Sequence, residues 1–127
     1  MEHEWKSEAE ARFPEYLNSL QQSDSPYDAW ITLCIEFGRC YESAPRNVDL
    51  ISRIIDFSEW CVSRESNTDS GYDLPTCVCV SFYEHILEHE EAIVDLLRYF
   101  NSEEIMAMRD VFARPIGENR LKNLLGL

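Results

Sequence analysis

The sequence predicts an all-α fold: a compact bundle or array of six to seven short helices, forming a single helical domain over residues 1–127. Three observations carry this expectation. Only four glycines punctuate the chain, so long segments run without a breaker. Within those segments apolar residues recur at spacings of three and four, the period of an amphipathic helix. Several segments open on Ser, Asn or Pro followed by acids, the residue types that cap and charge helix N-termini.

The elements follow in order. Ser7-Glu8-Ala9-Glu10 has the serine-to-glutamate spacing of a capping box, which predicts the start of a short first helix. Pro14 either kinks that helix or opens a second set of turns carrying Tyr16, Leu17 and Leu20. Ser25-Pro26-Tyr27-Asp28 is a stronger start: Ser25 caps, Pro26 suits the first helical position, and Asp28 sits in the positive first turn. The helix behind it places Trp30, Leu33, Cys34, Phe37 and Tyr41 at spacings of three and four. Gly38 inside it marks a local weakness or a close helix crossing. Ser43-Ala44-Pro45 breaks the chain, and Asn47 or Ser43 caps a helix from Val48 to Ser63. The apolar residues of that helix cover more than one face, as expected of a central helix with neighbours on two sides.

Arg64 to Asp73 is the most polar stretch and reads as a loop, with Ser70-Gly71 as its turn signal. It is too short to separate two domains. Residues 76–83 admit two readings. Their β-branched content suits a buried strand. Yet Val78, Phe82 and Ile86 repeat every four residues, and the run continues to Glu91 without a breaker. Helix is favoured, because a lone strand has no obvious partner in the sequence. Ile93, Val94, Leu97 and Phe100 form the next apolar face. Asn101 then caps a helix with Glu103 and Glu104 in its first turn and Ile105, Met108, Val111 and Phe112 on its face. Arg114-Pro115-Ile116-Gly117 ends it, and Leu121, Leu124 and Leu125 suffice for a short terminal helix that docks on the body.

Composition excludes several functions. The hydrophobic fraction of 45% rules out a disordered chain. No apolar run reaches the roughly 18 residues of a membrane span. Eleven basic and 24 acidic side chains give a net charge of −13, which argues against nonspecific nucleic-acid binding and against docking on anionic lipid. Met1-Glu2-His3-Glu4-Trp5 lacks the apolar stretch of a secretory signal, so a cytoplasmic location is expected. Cys34, Cys40, Cys61, Cys77 and Cys79 are accordingly read as reduced thiols, mostly buried as small apolar side chains.

No catalytic signature stands out. His85-Ile86-Leu87-Glu88-His89 matches the His-x-x-Glu-His order of inverted zinc peptidases. That chemistry needs both histidines on one helix face and a third protein ligand, and no clear third ligand is visible. A solvated helix face is the plainer reading, with incidental metal capture by His85 and His89 left open. No phosphate-cradling glycine loop and no calcium loop occurs. The sequence therefore implies neither a cofactor nor a catalytic set.

Charge distribution is more informative. Residues 1–104 hold 7 basic and 22 acidic side chains, whereas residues 105–127 hold 4 basic and 2 acidic ones. From Asp69 to Asp95 there is no lysine or arginine at all. One-signed clustering of this kind steers basic partners and speeds encounter, although acidity also serves solubility alone.

Arg12-Phe13-Pro14-Glu15-Tyr16-Leu17 and Val78-Cys79-Val80-Ser81-Phe82-Tyr83-Glu84-His85-Ile86-Leu87 resemble an uncharacterised family of small bacterial helical proteins. Members of that group look like candidate immunity proteins of polymorphic toxin systems. The resemblance implies an all-helical cytosolic protein that protects its host by binding one toxin, with no catalytic residues. An acidic helical surface suits a nuclease toxin, which is basic where it meets phosphate. The expected partner surface comprises Asp69, Tyr72, Asp73, Glu84, Glu88, Glu91 and Asp95. The alternative is a helical adaptor or regulatory subunit for another protein partner, and the oligomeric state stays open.

Overall fold

The computed structural model describes residues 4–64 and 73–126, and every regular segment among them is helical. Helix α1 (Glu4–Arg12) leads through a 3-10 turn at Pro14–Tyr16 into α2 (Leu17–Gln21). The two long helices are α3 (Pro26–Glu42) and α4 (Val48–Val62). Helix α5 (Leu74–Val78) runs directly into a π-helical turn, Cys79–Tyr83, and a 3-10 turn, Ile86–Glu88. The chain ends through α6 (Glu90–Tyr99), α7 (Ser102–Ala107), α8 (Arg109–Phe112) and α9 (Glu118–Leu124).

Most helix boundaries have the predicted chemistry. Ser25 accepts a hydrogen bond from the Asp28 N–H at 3.4 Å, with Pro26 at the first helical position. Asn47, not Ser43, caps α4, accepting from the Leu50 N–H at 3.1 Å; the Ser43 hydroxyl instead donates to the Arg39 carbonyl. Asn101 and Glu104 form a complete capping box at α7. Gly117, at φ +88°, turns the chain into α9, whose Leu121 is buried as the docking residue.

Three expectations are corrected. Ser7 lies inside α1, which is already formed at Glu4, so the Ser7–Glu10 spacing is not a helix start. The run from residue 76 to Glu91 is helical but not continuous. At Glu84 the N–H reaches back five residues to the Cys79 carbonyl at 2.9 Å, and at His85 it reaches back only three, to Phe82. The widened turn followed by a tightened one ends the α-helical ladder. Likewise α7 and α8 are separated at Met108, whose φ of −121° and ψ of 31° leave the helical range.

A column of aromatic rings organises the core. Trp30 of α3 lies between Phe57 of α4, at 5.2 Å and 13°, and Phe82 of the π-helical turn, at 5.1 Å and 21°. Tyr83 continues the column onto Phe112 at 5.2 Å, with Phe100 meeting it edge-on at 5.5 Å. Each such contact adds about 0.5–1.5 kcal/mol beyond area burial. The Tyr83 hydroxyl, buried with its ring, donates to Ser58 Oγ at 2.8 Å, and Ser58 donates to the Ile55 carbonyl at 2.6 Å. Helix α4 packs against α1, α3 and α5, as its wide apolar surface predicts.

Charged side chains fasten the periphery. Arg53 of α4 grips both carboxylate oxygens of Glu15, at 2.9 and 2.7 Å, and also donates to the Arg12 carbonyl at 3.0 Å. Its hydrogen bonds hold the Glu15 carboxyl below the usual carboxylate range.

Candidate functional site

An open, largely apolar groove runs along α3. The expected core face of α3 is Trp30, Leu33, Cys34, Phe37 and Tyr41, and all but Cys34 are buried. Ile31 and Ile35 lie beside that stripe, four residues apart and therefore on one face. They remain 52% and 53% exposed, so about half of their apolar surface stays in water. Across from them the π-helical turn presents Val80, 44% exposed, and Ser81. A π-turn carries one more residue than an α-turn, and such turns recur where helices build sites. Here it lets Phe82 and Tyr83 enter the core while Val80 stays at the surface.

Tyr27, Ile31, Cys34, Ile35, Val80, Ser81, His85 and Glu88 line a space of about 430 Å³. A second space of about 310 Å³ shares Cys34, Ile35 and Glu88, and continues past Gly38 and His89 to Arg39 and Glu42. Together they form one groove beside α3, from Tyr27 to Glu42.

At Gly38 the floor is formed by a neighbouring side chain. A Cβ on Gly38 would lie 2.9 Å from His89 Cε1, closer than atoms tolerate. The close approach at Gly38 is therefore made by the His89 ring and not by a crossing helix. His89 in turn packs beside Tyr41, with ring centroids 6.3 Å apart and planes at 10°.

The groove carries two carboxylates, Glu88 and Glu42, against one permanent cation, Arg39. Glu88 Oε2 accepts a hydrogen bond from His85 Nδ1 at 2.8 Å, and its side chain remains 51% exposed. Glu42 stands at the far end. The nearby cation, Arg39, is held by Glu36 at 2.6 Å. The negative potential reaches the floor: burial pushes the Cys34 thiol up to about 11, and the Glu88 charge adds to it. Burial, with Glu84 and Asp73 behind it, raises the Cys79 thiol too. These thiols stay protonated near neutrality and are poor nucleophiles.

The expected partner surface divides. Asp69 and Tyr72 lie outside the described residues. Asp73 precedes α5 and accepts from the Thr76 hydroxyl at 2.6 Å. Glu84 is partly covered, 3.9 Å from Arg114 Nε. Glu91 is exposed in the first turn of α6. Of the five that are described, Glu88 lines the groove.

Asp95 requires a correction. It is 5% exposed and cannot serve as a surface contact. It accepts from Arg46 Nη1 at 2.8 Å and from the Tyr41 hydroxyl at 3.2 Å, tying α6 to α3 and the segment before α4. Its expected place at the surface follows from the lack of lysine and arginine between Asp69 and Asp95, but a charge pattern carries no information on burial. The i+4 neighbour of an exposed residue can still face inward where the helix meets Arg46.

His85 and His89 do not share a helix face. The 3-10 turn separates them, His85 turning to Glu88 and His89 to Gly38 and Tyr41. Among the described residues no three His, Cys, Asp or Glu side chains gather as a metal-holding group. Sequence reasoning missed Ile31, Ile35 and Val80. Their signal was available: α3 carries more apolar residues than one buried face requires.

Compared with known proteins, the chain matches no family model, no curated protein and no solved structure.

Proposed function

We propose that the chain is a non-catalytic protein-binding module, an immunity-type inhibitor acting in the cytoplasm that neutralises a basic, nuclease-like toxin. One observation carries this reading: half-exposed Ile31, Ile35 and Val80 stand beside Glu88 in a chain of net charge −13. Exposed apolar patches rimmed by polar groups mark interaction surfaces. Desolvated apolar anchors supply affinity, while the surrounding negative field supplies encounter rate and selects basic partners. Occupying a phosphate-binding surface blocks its substrate without any chemistry. The adaptor reading draws on the same groove and differs in relying on apolar contact rather than charge.

The test is affinity capture on the full chain from host lysate, washed at low and then high salt, with the retained proteins identified by mass spectrometry. The expected result is a basic protein or toxin domain that high salt releases. A neutral or acidic partner retained through high salt overturns the inhibitor reading in favour of the adaptor.

A further inference from the structure

We infer that the groove beside α3 receives an amphipathic helix of the partner, with apolar anchors on Ile31, Ile35 and Val80 and a lysine or arginine against Glu88 and Glu42. This rests on the reading of the partner as a basic protein.

Length, relief and charge each point to that occupant. From Tyr27 to Glu42 the groove follows about four turns of α3, or ~22 Å at 1.5 Å per residue. An occupying helix of about 15 residues spans it, with anchors at the i, i+3 or i+4 and i+7 spacing of helix-in-groove recognition. Cys34, a small side chain shared by both halves, keeps the middle of the floor low, while the His89 ring covers Gly38 and forms the floor beyond it. The two halves differ. The Tyr27 half offers Ile31 and Val80. Glu88 borders both halves, and the other half adds Glu42 and the negative C-terminal end of α3. Arg39 does not offset them, because Glu36 already holds its guanidinium at 2.6 Å. An anionic helix is repelled at that end, and an uncharged one leaves Glu88 and Glu42 partly desolvated without a partner. A helix with leucine-like anchors over one half and cations over the other satisfies both.

The probe is a synthetic helical peptide of about 15 residues, with leucines along one face and lysines toward one end of it. A second peptide replaces each lysine by glutamate. Binding to the full chain is read by fluorescence anisotropy and by amide chemical-shift mapping. The lysine peptide is expected to shift residues 27–42 and 80–89, and the glutamate peptide to leave them unmoved. Ile35→Asp and Glu88→Lys should each weaken the lysine peptide at least about tenfold, as loss of a central anchor does. Glu91→Lys, outside the groove, should change it less than about twofold. Ile35 and Glu88 are half exposed, so these variants leave the core intact; Ile35→Ala and Glu88→Gln provide milder versions with the same expected order. No binding of the lysine peptide, equal binding of the glutamate peptide, or equal losses for Glu91→Lys and Glu88→Lys overturns the inference. A salt-released basic partner whose affinity survives Ile35→Asp would overturn the groove as its seat while leaving the basic-partner reading intact. A salt-resistant acidic partner would remove that reading itself.

Discussion

His89 Cε1 lies 2.9 Å from the point where a Gly38 Cβ would stand. Two effects therefore oppose one another at Gly38→Ala. Alanine favours the helix by about 1 kcal/mol over glycine. Overpacking against a ring already seated beside Tyr41 costs about 1–3 kcal/mol. Gly38→Ala should be destabilising in the native chain and stabilising in a His89→Ala background. Urea denaturation of the two singles and the double shows whether the sign reverses; the same sign in both backgrounds contradicts the contact.

Arg46 and Asp95 give a second test. Breaking a fully buried ion pair costs about 3–5 kcal/mol, but the Arg46 side chain keeps 35% exposure and water softens its loss. Asp95→Ala should cost about 1–3 kcal/mol. Arg46→Ala should cost more than Asp95→Ala, because it leaves a nearly enclosed carboxylate with only the Tyr41 hydroxyl and the more distant Arg98, 3.7 Å away, whereas Arg46 without Asp95 reaches solvent. Thermal melts of the pair decide the order.

Ser58 and Tyr83 make an asymmetric pair in the core. Ser58→Ala leaves the buried Tyr83 hydroxyl without its acceptor, at a cost of about 1–3 kcal/mol. Tyr83→Phe removes the hydroxyl, while Ser58 keeps its bond to the Ile55 carbonyl. It should cost clearly less, and the double variant should resemble Tyr83→Phe more than the sum of the singles. Additive losses in denaturant melts contradict this.

Burial also sets a pH limit. It raises Cys34 to about 11, Cys61 to about 12 and Tyr16 to about 12. Each group holds its proton more tightly folded than unfolded. The stability this represents is complete below the unfolded thiol value of about 8.5 and is lost as pH rises toward the folded values. The urea midpoint should hold between about pH 7 and 8 and fall progressively above about pH 9. Cys61→Ala should make that fall shallower. A midpoint that rises with pH, or the same slope in the variant, contradicts the assignment.

The helices were legible because their signals are local. Ser25-Pro26, Asn47 and Asn101 each act within one turn, and the caps form as their sequence reads. The break after Val78 was not legible, because it is decided by packing. Phe82 packs on Trp30 and Tyr83 on Phe112, contacts with residues about 50 and 30 positions away that no local spacing announces. The acidic character was legible as charge but not as placement. Asp95 and Glu91 look alike in sequence, and only the fold turns one toward Arg46 and the other to solvent. Ile31 and Ile35 were hidden by the strength of the buried stripe next to them.

The most direct test of the binding reading is the salt dependence of affinity for the captured partner, compared between the native chain and a Glu84→Lys, Glu88→Lys, Glu91→Lys variant. The account predicts that native affinity falls steeply as salt rises and that the variant binds more weakly with a shallower dependence. Affinity and salt dependence left unchanged by the three reversals would contradict it.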